Sequence, residues 1–308
     1  MKNGIQYRMG GKTDVPKMVS LINSNYKRQK DDKYFIWQYF NDAVESGIVC
    51  AFDNGELIGM FGVLRREVIP DGLFGVQAID LVVKKEWRGK GIFKTLGSIA
   101  EEYFKNTYLM FVLPNDNGKV ACESSLSYRT LGKIKTYISG KFTDDKMPEY
   151  KIASLSKWSS IKTNAKNGSM MFGRSPNYMN WRFTNNPLYL YEIVEIKNGY
   201  FGIVKVFIDP ATKDVCGDIV DFECPLKDQD SIRDVANSCR HYLFVKKRVQ
   251  SVTAWAVPYA KLHDLFTQVG FVPADRERYF LIKPLKKISD GYFDLGNWHL
   301  VEADSEVY

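Results

Sequence analysis

Val83-Lys84-Lys85-Glu86-Trp87-Arg88-Gly89-Lys90-Gly91-Ile92-Phe93 decides how this chain is read. An apolar run over residues 76–83 precedes the basic residues and predicts a buried strand. After them, Ile92, Leu96, Ile99, Ala100 and Tyr103 recur at helical spacing. A strand therefore passes through a basic, glycine-bearing turn into an amphipathic helix. Such a turn aims backbone N–H groups at an anion, helped by the positive end of the helix dipole. Gly89 and Gly91 carry no Cβ and permit close approach, while Arg88 and Lys90 add positive charge. A phosphate-bearing ligand is the expected occupant.

The turn is not a Walker loop, which ends in Gly-Lys-Ser/Thr, nor a dinucleotide fingerprint with three glycines. Arg88-x-x-Gly91-x-Phe93 resembles the pyrophosphate motif of the GNAT acyltransferases, Arg/Gln-x-x-Gly-x-Gly/Ala. It departs at the sixth position, where Phe93 replaces a small residue. The order of predicted elements supports the resemblance. A strand at 5–8, helices at 14–26 and 34–40, and strands at 48–52 and 57–64 lead to the strand ending at Val83. Asn54-Gly55 predicts the hairpin turn between the latter two, because glycine and asparagine tolerate positive φ. After the basic turn come a helix to about 104, an apolar strand at 108–113, a helix from about 119 to 126 and a strand at 133–139.

This order matches the GNAT fold over the first 140 residues and implies an acyl-CoA site. In that family the pantetheine arm lies between two splayed strands. Carried over by position, Leu81, Val82 and Val83 would bond pantetheine. Arg88, Gly89, Lys90, Gly91, Ile92 and Phe93 would hold the pyrophosphate, and Asn115 and Asn117 would reach the arm. The donor implied is acetyl-CoA or another short acyl-CoA.

Composition limits the alternatives. The 308 residues suffice for two domains. Hydrophobic residues at 45% and charged residues at 26% are those of a globular protein. The net charge of +7 suits anionic ligands. The basic residues are dispersed, and the short run Lys246-Lys247-Arg248 predicts a solvated helix end rather than a nucleic-acid arm. No secretory leader or membrane-length apolar run is read, and five cysteines are scattered without a paired motif, so a cytoplasmic location is expected. The three histidines show no metal-ligand spacing, and no metal is expected.

The second half repeats the later elements. Residues 141–150 read as a linker, and 152–161 as a helix. A hairpin over 191–207, a strand at 218–222, a helix over 230–245, a strand at 252–257, a helix over 261–268 and a strand at 278–282 follow. The fold class expected is therefore α/β (α+β): two tandem GNAT-like domains, 1–140 and 151–308, the second degenerate. Its turn at Glu223-Cys224-Pro225-Leu226-Lys227-Asp228 has no glycine and two acids flanking it. It should repel pyrophosphate, leaving one cofactor site. An unrelated α/β domain remains the alternative.

A narrower resemblance is to GNAT enzymes of bacterial surface-sugar synthesis. It rests on Arg88 to Phe93, Leu113-Pro114-Asn115, Asn180-Trp181-Arg182, and Trp298-His299-Leu300 leading to Asp304-Ser305-Glu306. It implies an N-acyltransferase acting on a nucleotide-linked amino sugar for lipopolysaccharide or capsule. Arg174, Trp181 and Arg182 would offer charge and stacking to that acceptor, and Asp221 and Asp304 would take its hydroxyls or ammonium. An internal salt-bridge set with Trp181 as core anchor is the structural alternative.

Acyl transfer needs a neutral amine, and often a base and an acid. Asp80, interrupting an apolar strand before the expected thioester position, is the candidate base. Glu123 stands where many GNAT enzymes place a tyrosine acid, and a solvated helix face is its alternative role. Tyr128 is expected in the core. Other amine acceptors (peptide, aminoacyl, antibiotic) and a non-catalytic acyl-CoA-binding regulator stay open.

Overall fold

The computed structural model describes residues 4–26, 29–142, 148–155, 169–225, 228–257 and 262–305. In chain order the first elements are β1 (Gln6–Met9), α1 (Val15–Asn23), α2 (Asp32–Tyr39), β2 (Ser46–Asp53), β3 (Glu56–Ile69) and β4 (Leu73–Val83). Next come α3 (Ile92–Tyr103), β5 (Leu109–Val112), α4 (Asp116–Leu126) and β6 (Arg129–Ser139). The later elements are β7 (Tyr150–Ala153), β8 (Met171–Phe172), α5 (Pro176–Met179), β9 (Tyr191–Ile196), β10 (Phe201–Ile208) and β11 (Val215–Glu223). The last are α6 (Gln229–His241), β12 (Ser251–Ala256), α7 (Leu262–Gln268) and β13 (Val272–Pro284). None of the described helices is long and apolar enough to cross a membrane.

The chain divides into two compact units, one holding Met1–Val68, Gly72–Leu131 and Tyr279–Ser289, the other Ile69–Asp71, Gly132–Arg278 and Asp290–Tyr308. This differs from a cut at 140/141. The strand at 133–139 falls in the second unit, and the strand at 279–284 in the first. From the sequence each reads as the last strand of its own half. Residues 150–153 form a strand rather than the start of a helix, because β9 supplies a ladder from Tyr150↔Ile196 to Ala153↔Ile193. The rest of that expected helix lies outside the described residues, as does much of the expected linker.

In the first unit the sheet runs β1-β2-β3-β4-β5-β13. All neighbours are antiparallel except β4 and β5, which run parallel. The parallel pair requires a crossover, and α3 provides it. α3 buries Ile92, Leu96 and Ala100 against Val49, Ala51, Phe61, Val76 and Ala78 of the sheet. β3 is buried continuously from Leu57 to Leu64, which explains its lack of alternation.

In the second unit the sheet runs β6-β12-β11-β10-β9-β7, again with one parallel pair, β11 with β12. α6 is the crossover and buries Ile232, Val235, Ala236 and Cys239 against Val194, Val204 and Ile219. The second unit thus repeats the first: antiparallel strands, then a helix between two parallel strands, then an antiparallel closing strand.

Candidate active site

The parallel ladder of β4 with β5 runs from Gly75↔Leu109 to Gln77↔Phe111, yet β4 continues to Val83. Its outer part pairs with β3 through a bulge. Gly62 faces Ile79 and Met60 faces Val82, so Phe61 stands opposite both Asp80 and Leu81. Asp80 takes a left-handed φ of 49° there, uncommon for a residue with a Cβ.

The basic turn follows at once. Gly89 and Gly91 have φ of 75° and 80°, which explains why glycine occupies both. Gly91 is the N-cap of α3 and supplies no side-chain cap, and residues 88–91 are exposed. The first N–H groups of a helix lack intrahelical acceptors, so this end presents donors and the positive dipole end to an anion. Ile92 is buried, and the Phe93 ring packs against Phe61 at 5.8 Å. The large residue at the sixth motif position thus turns into the core. Lys90 Nζ lies 4.6 Å over the Trp87 ring. Arg88 turns back rather than outward: Nε donates to Val83 O at 3.1 Å and Nη2 to Asn25 Oδ1 at 3.0 Å. Its cation ties the loop to the end of β4.

The N-terminus of α6 is the opposite case. Asp228 caps it, with Oδ1 accepting the Ser231 N–H at 3.1 Å and Oδ2 accepting the Ser231 hydroxyl at 2.6 Å. A carboxylate already occupies the position that an anion would take. Residues 226–227 of that turn lie outside the described residues.

Asp80 is buried at the bulge and saturated with donors. Oδ1 accepts from Lys30 Nζ at 2.5 Å, and Oδ2 accepts from Tyr39 Oη at 2.8 Å and Tyr34 Oη at 3.0 Å. Both oxygens are therefore engaged by donors from the α1–α2 side of the bulge. Asp80, expected as a candidate base, thus holds Lys30, Tyr34 and Tyr39 in place. Gly62 makes the cluster sterically possible, since a Cβ there would lie 2.0 Å from Tyr39 Oη. The sequence reading missed Lys30, Tyr34 and Tyr39. The aromatic run in α2 was visible, but its hydroxyls' target was not.

Asn115 N-caps α4, its Oδ1 accepting the Gly118 N–H at 3.0 Å, so that oxygen is committed to the helix. Asn117 is exposed in the first turn of α4. Glu123 accepts from Thr130 Oγ1 at 2.6 Å and Lys119 Nζ at 3.0 Å. The Thr130 hydroxyl, then Lys119, holds its carboxyl below the usual range. Its carboxylate ties α4 to β6. Tyr128 is buried, which raises its hydroxyl well above the ordinary value. It belongs to the core, as expected.

The second-unit residues assigned to an acceptor are turned inward. Arg174 Nε donates to Asp221 Oδ2 at 2.7 Å, and Nη1 reaches Asp304 Oδ1 at 2.8 Å and Phe172 O at 2.8 Å. Burial opposes that charge, and the two carboxylates overcome it, raising Arg174 well above its ordinary value. Arg182 Nη2 donates to Ser305 O at 2.9 Å, and Trp181 is buried with its ring 5.6 Å from Tyr178. These five residues form an internal set that pins the Glu302–Asp304 turn, which is the structural alternative named above.

Comparison with known proteins agrees with this geometry. Residues 15–121 match the model of the acetyltransferase (GNAT) family. The likeness to that family is thus confined, by sequence, to the first unit. Similar solved structures extend the likeness over both units. A probable N-acyltransferase from Enterococcus faecalis V583 aligns over 92% of this chain and 73% of its own, with TM-score 0.65 and 14% identity. A tandem GNAT protein from the clavulanic acid biosynthesis pathway aligns over 93% of this chain and 100% of its own, with TM-score 0.60 and 11% identity. The Saccharomyces cerevisiae N-myristoyltransferase with bound myristoyl-CoA aligns over 92% and 79%, with TM-score 0.62 and 9% identity. These likenesses bear on fold: two GNAT-like units in tandem. Among curated proteins none matches.

Proposed function

We propose that this chain is an N-acyltransferase that takes an acetyl or short hydroxyacyl group from CoA at the first unit. The observation that carries the reading is the uncapped, exposed N-terminus of α3 beside a strand that outruns its parallel partner. The donor set fits a pyrophosphate-bearing thioester: two left-handed glycines, the basic Lys90 and Arg88, and the first-turn N–H groups of residues 92–93. Leu81, Val82 and Val83 would meet the pantetheine arm along the outer part of β4, with Asn117 and the amide of Asn115 on its other side.

The bound thioester supplies an electrophilic carbonyl and a thiolate leaving group. The acceptor nitrogen forms the new C–N bond, the C–S bond breaks, and the nitrogen releases its proton. Asp80 and Glu123 hold other groups and are not drawn as base and acid. Water takes the amine proton and protonates the thiolate. What the bulge would contribute is positioning, since Asp80 fixes Lys30, Tyr34 and Tyr39.

The nucleotide-linked amino sugar is the acceptor that the motif resemblance favours. Because Arg174, Trp181, Arg182, Asp221 and Asp304 serve the second unit's interior, its contacts are assigned instead to Lys30. The test is thiol release from acetyl-CoA with a panel of amines that includes a nucleotide-linked amino sugar. Acceptor-dependent release supports the enzyme. Binding of CoA without turnover of any amine favours the regulator.

A further inference from the structure

We propose that the acceptor carries an anionic group, a carboxylate or a phosphate, near its amine, and that Lys30 binds it; this rests on the acyltransferase reading above. At the bulge the two charges are layered. The Asp80 side chain is 3% exposed and the Lys30 side chain 13% exposed, so Lys30 is the member of the pair nearer to solvent. A substrate ammonium cannot reach Asp80 without displacing Lys30, because both oxygens already accept hydrogen bonds from Lys30, Tyr34 and Tyr39. The neighbouring Asp31 carboxylate is committed as well, accepting the Tyr34 N–H at 3.0 Å as the N-cap of α2.

Lys30 is held in place before any ligand arrives. Asn23 grips its backbone from both sides: Oδ1 accepts the Lys30 N–H at 2.8 Å, and Nδ2 donates to Lys30 O at 2.8 Å. The Nζ lies 3.9 Å over the Tyr34 ring, itself buried. An ammonium has three N–H donors, and Asp80 takes one at 2.5 Å. A fixed cation disfavours an approaching cation and favours an anion. It also serves the chemistry. A positive charge near an alkylammonium lowers that group's pKa and raises the fraction of neutral, nucleophilic nitrogen.

The experiment uses the full chain with acetyl-CoA and matched acceptor pairs. One arm sets α-amino acids against their carboxamides, the other amino-sugar phosphates against the free amino sugars. kcat/KM from thiol release is expected to favour the anionic member of at least one arm by about 10- to 100-fold, the range of a charge-assisted contact. The favoured arm tells carboxylate from phosphate. Lys30→Gln should bring that ratio close to unity, and Lys30→Arg should restore it. Circular dichroism establishes that both variants are folded. Equal or better use of neutral members, or a preference that survives Lys30→Gln, overturns the proposal. So does a protein that binds acetyl-CoA but acylates no anionic amine. A protein that does not bind acetyl-CoA at all refutes the acyltransferase reading itself, and this one with it.

Discussion

Gly62→Ala probes the bulge more directly than removing any of its charged groups. The added methyl carbon would stand 2.0 Å from Tyr39 Oη, 2.7 Å from Tyr39 Cζ and 2.9 Å from Ile79 O. None of these separations is tolerable, and the carbonyl belongs to the ladder, so the Tyr39 ring must move. Moving it breaks the 2.8 Å hydrogen bond to Asp80 Oδ2. A hydrogen bond to a charged group contributes about 1.5–3 kcal/mol, and overpacking adds about 1–3 kcal/mol. A loss of about 3–5 kcal/mol is expected for the first unit. Because a two-unit chain need not unfold in one step, the measurement is amide exchange by mass spectrometry on β3 and β4 peptides across a urea series. The sharper test is a cycle with Tyr39→Phe. Alone, that change should cost about 1.5–3 kcal/mol; in the Gly62→Ala background it should cost much less, because the bond to Asp80 is already broken. Additive costs, or a Gly62→Ala penalty below about 0.5 kcal/mol, would refute the reasoning.

Three further outcomes are expected. Arg88→Glu should weaken acetyl-CoA binding by calorimetry about tenfold or more, by placing a like charge beside the pyrophosphate and releasing Val83 O; unchanged affinity would remove the loop from the site. Arg174→Met should destabilise the second unit by about 3–5 kcal/mol, because it strands two buried carboxylates, and exchange in β11 peptides reads it. Burial holds His299 at about 4, against an ordinary 6.5, with Asp304 pulling the other way and Arg174 assisting. The folded state therefore refuses a proton that the unfolded chain accepts. This contribution is complete above the ordinary value of 6.5 and is lost as pH falls toward 4. The loss is worth about 3 kcal/mol, and His299→Phe should flatten that part of the stability profile relative to the parent.

The local features of this fold were legible in the sequence because they are written in neighbouring residues. The glycines of the basic turn, the helix periodicity after Ile92 and the Asn54-Gly55 hairpin each depend on a few adjacent positions. What was not legible depends on contacts far apart in the chain. Asp80 meets Tyr34, Tyr39 and Lys30 from 41 to 50 positions away, and Arg174 meets Asp221 47 positions away. From sequence, Trp181-Arg182 offered itself as a stacking and charge pair. Only the fold shows both facing inward. The residues at 150–153 illustrate the remaining ambiguity: a short apolar run carries no period that separates strand from helix, and the β9 ladder decided it.

The strand at 279–284 has a consequence for how the protein is made. β5 finds its antiparallel neighbour, through Leu281↔Val112 and Lys283↔Met110, only in a segment close to the end of the chain. During synthesis the first unit therefore waits with β5 unfinished while the second unit emerges, exposing the kind of sheet edge that invites pairing with other chains. A gene fragment ending at residue 140 would leave that edge bare permanently. A piece that carries a complete first unit must therefore extend through the strand at 279–284.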